Sequence, residues 1–114
     1  MASYRLLVLS NPVEGRDAEY NEWYSRQHLQ DVVRIPGFVG AQRFQLVEPV
    51  LMAENFPWRY VAIYEIETDD LAVALGELSA RTGTTAVPMS EAIDTVNIVA
   101  VPMAPITERL ISPR

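Results

Sequence analysis

The feature that most constrains this chain is a strand that cannot face water on either side. Tyr4 to Ser10 reads YRLLVLS and ends at Asn11-Pro12. Successive side chains of a strand point to opposite faces, so Leu7 and Leu9 alternate with Leu6 and Val8. Both faces are apolar, and both must be covered. Arg59 to Glu67, RYVAIYEIE, alternates in the same way, with Tyr60, Ala62, Tyr64 and Ile66 on one face.

The segments between such runs are helical or turn-forming. Glu14 to Asp17 is a polar turn with Asp17 as a plausible N-cap, and a helix is expected from there to about Leu29. Tyr20, Trp23, Tyr24, Gln27 and His28 share one side of it at spacings of three and four, and Glu19, Glu22, Ser25 and Arg26 fall on the other. Ile35-Pro36-Gly37 ends any helix, because the residue before proline is pushed out of the α region. Phe38 to Val47 reads as a second strand, and Glu48 to Pro57 as a loop carrying Pro49, Asn55 and Pro57. Thr68-Asp69-Asp70 starts a second helix, with Leu71, Ala74, Leu75 and Leu78 as its apolar stripe. Gly83 and Pro88 bracket a loop, Ala92 to Val101 reads as a fourth strand, and the prolines at 102, 105 and 113 disfavour regular structure in the tail.

The order strand-helix-strand, strand-helix-strand is that of a ferredoxin-like α+β sandwich. Two helices then cover one face of a four-stranded antiparallel sheet. The expectation is one domain over residues 1–114. The other apolar face remains, and 114 residues cannot cover it alone. A second copy packed on that face would give a two-fold homodimer. Several hundred square ångströms buried per subunit would contribute roughly 10 kcal/mol before association costs, at about 25 cal/mol/Å².

Composition removes whole chemistries. There is no cysteine, no lysine among nine basic residues, and one histidine, His28. Cysteine nucleophiles, disulfides, thiolate-ligated metals and lysine Schiff bases are excluded, as is a His-x-x-x-His metal site within one subunit. A net charge of −6 with scattered arginines argues against nucleic acid and anionic membrane surfaces as partners. No apolar run reaches the length of a membrane span, and Met1 to Arg5 does not resemble a signal peptide, so a cytoplasmic location is the expectation.

Glu19 to Arg43 carries the chemistry. Trp23-Tyr24, His28-Leu29, Asp31-Val32 and Pro36-Gly37-Phe38 resemble the Trp-Tyr-x3-His-Leu-x-Asp-Val…Pro-Gly-Phe signature of EthD-like proteins of the dimeric α+β barrel superfamily. Gln30 stands where such proteins often have proline, which leaves the helix free to run on toward Pro36. The resemblance implies a ferredoxin-like dimer and, for most enzymes of the superfamily, no metal or organic cofactor. Isomerases, polyketide cyclases, quinol monooxygenases and ether-degradation accessory proteins all share the fold, so the activity has to come from the site.

His28 is the only side chain whose ordinary pKa lies near neutrality. In a cavity it could take a proton α to a carbonyl, with Asp31 orienting the ring. Alternatively it is structural, bonded to a backbone carbonyl near Pro36. Trp23 and Tyr24 pack as core or line a pocket, and Tyr20 and Tyr24 keep hydroxyls that need partners. Tyr60 and Tyr64 are either strand packing or, opposite His28, donors to an enolate or phenolate oxygen. Arg43 suits a substrate carboxylate; the plainer reading is an ion pair with Glu65 or Glu67. Three functions follow. The first is a cofactor-independent isomerase, cyclase or lyase acting on a carbonyl or phenolic compound of aromatic or polyketide metabolism. The second is a cofactor-free monooxygenase or haem degrader using Asn11, Trp58 and His28. The third is a non-catalytic accessory protein.

Overall fold

The sheet is built from β1 (Ala2–Ser10), β2 (Phe38–Gln45), β3 (Tyr60–Thr68) and β4 (Val99–Met103), in the order β2-β3-β1-β4 with every neighbour antiparallel. The computed structural model describes residues 1–48 and 50–114. The loop reading of Glu48 to Pro57 meets no regular element there, and Pro49 lies outside the described residues.

One face of the sheet carries the core. Leu6 and Ser10 of β1 are buried beside Tyr60, Ala62, Tyr64 and Ile66 of β3, the alternate residues that period two puts on one face. Two helical rods cover this face. The first runs through α1 (Asp17–Trp23), a π-helical turn (Tyr24–His28) and α2 (Leu29–Val33) without a break. The second is α3 (Leu71–Arg81). Asp70 caps α3, its carboxylate accepting from the Val73 amide at 3.2 Å. Ala74 is buried, and Leu71, Leu75 and Leu78 pack against the core.

The first rod departs from the sequence expectation in three ways. Asp17 is its first helical residue, not its cap. Arg16 holds the cap position with no side-chain bond, and the Asp17 carboxylate pairs with Arg59 at 2.9 Å. The rod also continues past Leu29 to Val33, as Gln30 in place of proline allows. Its buried positions are Tyr20, Tyr24, His28 and Val32, spaced by four. An α-helix repeats every 3.6 residues, so a run of fours would drift off the core. The π turn, with its i→i+5 hydrogen bonds, absorbs the surplus residue. Gln27 is thereby turned out to solvent, although helical spacing grouped it with the aromatic residues.

The fourth strand is a further correction. Ala92 and Ile93 are buried, but in a loop, and the strand spans Val99–Met103 instead of Ala92 to Val101. Asp94 is the cause. Its carboxylate accepts from the Val96 amide at 2.9 Å and from the Asn97 side chain at 3.2 Å, an Asx turn that ends extended pairing. Pro102 lies inside β4, which the edge position permits because only β1 pairs with it.

Among the described residues, no helix covers the opposite sheet face. Leu7 and Leu9 of β1, Val61 and Ile63 of β3, Val99 and Val101 of β4 and Phe44 of β2 lie there by register, half-buried or exposed. None of the described helices is long and apolar enough to cross a membrane.

Candidate functional site

The site is assembled where the first rod meets β2 and β3. A bulge at the start of β2 decides its geometry. Phe38 opposes Ile66, but Gly40 opposes Glu65, so the register shifts by one between them. Phe38 and Gly40 would share a face in a regular strand; the shift puts Ala41 and Arg43 on the helix side with Phe38. Arg43 therefore points at the rod. Glu65 and Glu67 lie on the other face of β3, which overturns the expected ion pair with Arg43; Glu65 pairs with Arg5 instead, at 3.5 Å.

The half-buried Arg43 guanidinium donates to Ser25 Oγ at 2.7 Å and to Asn21 Oδ1 at 3.0 Å. It lies over the Tyr24 ring at 4.4 Å, and within 5.2 and 5.4 Å of the Tyr20 and Tyr60 ring centres. Cations are held well over such ring faces. Among the described residues no carboxylate comes within ion-pair distance of it. Asn21, Ser25, Arg43, Phe44, Gln45 and Tyr60 line a cavity of about 230 Å³ at this point.

Behind Arg43 lies a block of tyrosines. Tyr20 and Ser10 share a hydroxyl–hydroxyl bond of 2.6 Å, and Tyr64 donates to the Tyr24 hydroxyl at 3.2 Å. Burial raises the pKa of all three of these tyrosines, that of Tyr24 to about 12, so they remain protonated donors near neutral pH. The Tyr60 hydroxyl accepts from Asn21 at 3.2 Å. Of the two strand tyrosines, Tyr64 is the one tied to the neighbourhood of His28, through Tyr24; Tyr60 belongs to the Arg43 cavity.

His28 is 8% exposed. Its ring stacks on Trp23 at 4.6 Å and meets the Tyr24 ring edge-on at 4.9 Å. Its Nδ1 is buried without a hydrogen-bond partner, so the expected backbone bond near Pro36 is not made. Burial lowers the His28 pKa to about 4 against the opposing charge of Asp31, and the ring is neutral at pH 7. Asp31 acts on it only through that charge. The Asp31 Oδ1 accepts from Arg34 at 3.4 Å, and its Oδ2 is likewise buried and unpartnered. Trp23 is half-buried and its indole N–H donates to the Pro88 carbonyl at 3.2 Å. The Tyr24 ring thus touches both the histidine and the arginine.

Asn11 and Trp58 serve the backbone. Asn11 donates to the Pro57 carbonyl at 2.7 Å and accepts from the Arg59 amide at 2.8 Å; the Trp58 indole donates to the Asn97 carbonyl at 2.8 Å. Asn21, Ser25 and Ser10 are the polar residues that sequence reading missed. Regular helical spacing puts Ser25 on the side of the rod away from the aromatics. The signal was present: Asn21 and Ser25 each follow a buried tyrosine by one residue and stand four apart, so they flank the stripe together.

No family model matches the chain, and no curated protein matches it in sequence. The likeness is three-dimensional. An EthD-like protein from Ralstonia eutropha superposes with a TM-score of 0.66 at 12% identity, over 96% of each chain. An EthD-family protein from Bacillus halodurans gives 0.61 at 15% identity, covering 93% of this chain and all of the other. The haem degrader MhuD from Mycobacterium tuberculosis, with two haems bound in its active site, gives 0.57 at 16% identity over 93% of this chain and 98% of its own. The chain therefore has the ferredoxin-like fold that EthD-like proteins share, and that fold carries more than one activity.

Proposed function

We propose that this protein is a cofactor-independent enzyme that moves a proton on a small carbonyl or phenolic compound, an isomerase, cyclase or lyase by reaction type. His28 is its acid–base group, with Asp31 biasing the ring. Tyr24 supplies the donor for a developing oxyanion, its hydroxyl held by the bond it accepts from Tyr64; Arg43 and Tyr60 hold the substrate, and Trp23 packs the histidine in place. The observation that carries this reading is the buried, unpartnered Nδ1 of a neutral His28. An orphaned buried polar atom costs about 1–3 kcal/mol, and a proton-transfer role that needs a free ring nitrogen gives a reason to bear that cost. The test is exchange of the α-proton of a 1,3-dicarbonyl probe in deuterated water, followed by NMR. His28→Ala should slow exchange by about 10²–10⁴-fold. Equal exchange by both folded proteins sinks the assignment, and binding without exchange by either supports an accessory role.

The likeness to a haem degrader supports a second reading, oxygen or haem chemistry on the same fold. Titration with haemin separates the two: no Soret shift removes the haem branch. We propose further that the protein is a homodimer joined through the helix-free sheet face, where Leu7, Leu9, Val61 and Ile63 of the central strands are left without a layer above them. Sedimentation of Ile63→Arg, expected to be monomeric, tests this.

A further inference from the structure

Two cavities lie end to end along the seam between the first rod and β2, and Ser25 lines both. One is the polar cavity at Arg43. The other, about 280 Å³, is lined largely by apolar groups, Leu29 and Val33 from the rod and Val39 and Ala41 from β2. A positive charge at one end and aliphatic carbon at the other define a polarity for whatever occupies the seam.

Arg43 is built to receive an anion. A guanidinium has five N–H donors in a fixed fork. Ser25 and Asn21, both neutral, take one bond each. No carboxylate of the described chain neutralises the charge. The protein carries a net charge of −6, so acids for such a pairing are plentiful. The bulge in β2 aims this one arginine away from them and into the seam. A bidentate carboxylate is the anion whose planar geometry matches the fork.

We propose that the seam binds an amphipathic carboxylic acid, its carboxylate on Arg43 beside Asn21 and Ser25, and its apolar part, aryl or short alkyl, along Leu29, Val33 and Ala41. This names the substrate class of the site described above and rests on reading that site as a ligand site; it does not depend on His28 performing chemistry. Each cavity holds a compact group, so the ligand is small, with the carboxylate at one end and not in the middle.

The experiment is calorimetric titration of the whole protein with 4-phenylbutyrate, with benzoate, and with 4-phenylbutyramide as the uncharged match. Phenylbutyrate should bind about tenfold or more tightly than its amide, the margin of one charge-assisted pair. It should also outbind benzoate, which reaches only the polar cavity. Arg43→Gln should erase the preference for the acid over the amide. Because Arg43 also ties the rod to the sheet, a second variant guards against misfolding. Ser25→Leu changes a solvent-exposed residue at the junction of the two cavities and should abolish binding of phenylbutyrate in a protein with wild-type circular dichroism. Acid and amide binding alike, unchanged affinity in folded Ser25→Leu, or no binding of either probe overturns the proposal. Acid-selective binding retained in His28→Ala, with proton exchange unaffected by that substitution, would leave the ligand class standing and remove the catalytic reading alone.

Discussion

The two helical rods occupy equivalent places in the two strand-helix-strand halves, yet they are built differently. The second, α3, is regular: Asp70 caps it, Ala74 is buried, and three leucines fit the period of 3.6. The first has no side-chain cap at any of its pieces and contains a π turn at Tyr24–His28. Its buried face holds two tyrosines and the only histidine, and its flank offers Asn21 and Ser25 to Arg43. The regular rod supplies stability, and the irregular one spends a surplus residue on bringing His28 inward. π turns recur at functional sites for this kind of reason.

Deleting one residue from each rod gives the largest expected contrast. Removal of Gly76 from α3 turns everything after it by about 100° and carries Leu78 off the core. We expect a loss of about 2–4 kcal/mol, read as a fall in the urea midpoint. Removal of the exposed Gln27 should convert the π turn to α-helix. The buried positions would then follow one another by four, three and four, close to the natural period, and the cost should stay below about 1 kcal/mol. Equal losses in the two deletions would show that the surplus residue in the first rod is not what the π turn accommodates.

The contrast also shows why one half was easier to read than the other. The cap and stripe of α3 follow the ordinary signals, as does the alternation Tyr60, Ala62, Tyr64, Ile66 of β3. The π turn was hidden because spacings of four and 3.6 diverge by only a fraction of a residue per turn, and Gln27 was misplaced for that reason. Arg43 was recognised as a candidate, but its partners were not. A one-residue bulge reverses which face a side chain takes, and its one signal was Gly40, an isolated glycine within a strand, which was not read as a bulge. The apolar run from Ala92 to Val101 read as one strand because the Asp94 turn lies within it.

A second contrast is electrostatic, and of similar or slightly smaller size. Of the residues buried against the sheet by the two rods, only His28 has an ordinary pKa near neutrality. Its pKa falls from the ordinary 6.5 to about 4 on folding because burial disfavours the charged ring. The unfolded chain thus binds the proton more tightly. The stabilising contribution is complete above pH 6.5 and is lost as the pH falls from 6.5 through 4. About 3 kcal/mol should disappear across that window. Denaturation of wild type and of His28→Gln from pH 7.5 to 4 measures it: the wild-type curve should fall away from the variant's on acidification. Parallel curves would mean that the ring is solvated, and that its Nδ1 has a partner after all.

The smallest expected effect compares the two helix starts. Asp70 and Asp17 both begin a rod, and both looked like caps in the sequence. Asp70 accepts the Val73 amide, so Asp70→Ala leaves an amide of the first turn without its protein acceptor and should cost about 1 kcal/mol. Asp17 accepts from no backbone amide of its helix; its partner is the Arg59 side chain, and both groups are roughly half exposed. A surface pair of this kind contributes about 0–1 kcal/mol, so Asp17→Ala should cost a few tenths, and that remainder should shrink further in 1 M salt. The loss in Asp70→Ala comes from a hydrogen bond to the backbone and should persist in salt to a much greater degree. If Asp17→Ala matched Asp70→Ala in size and salt response, the first rod would have a working cap, and its irregularity would be confined to the π turn. If the two separate as expected, the first rod holds its start by an ion pair to the Arg59 side chain beside β3, the strand that pairs with the β2 strand presenting Arg43 to the seam.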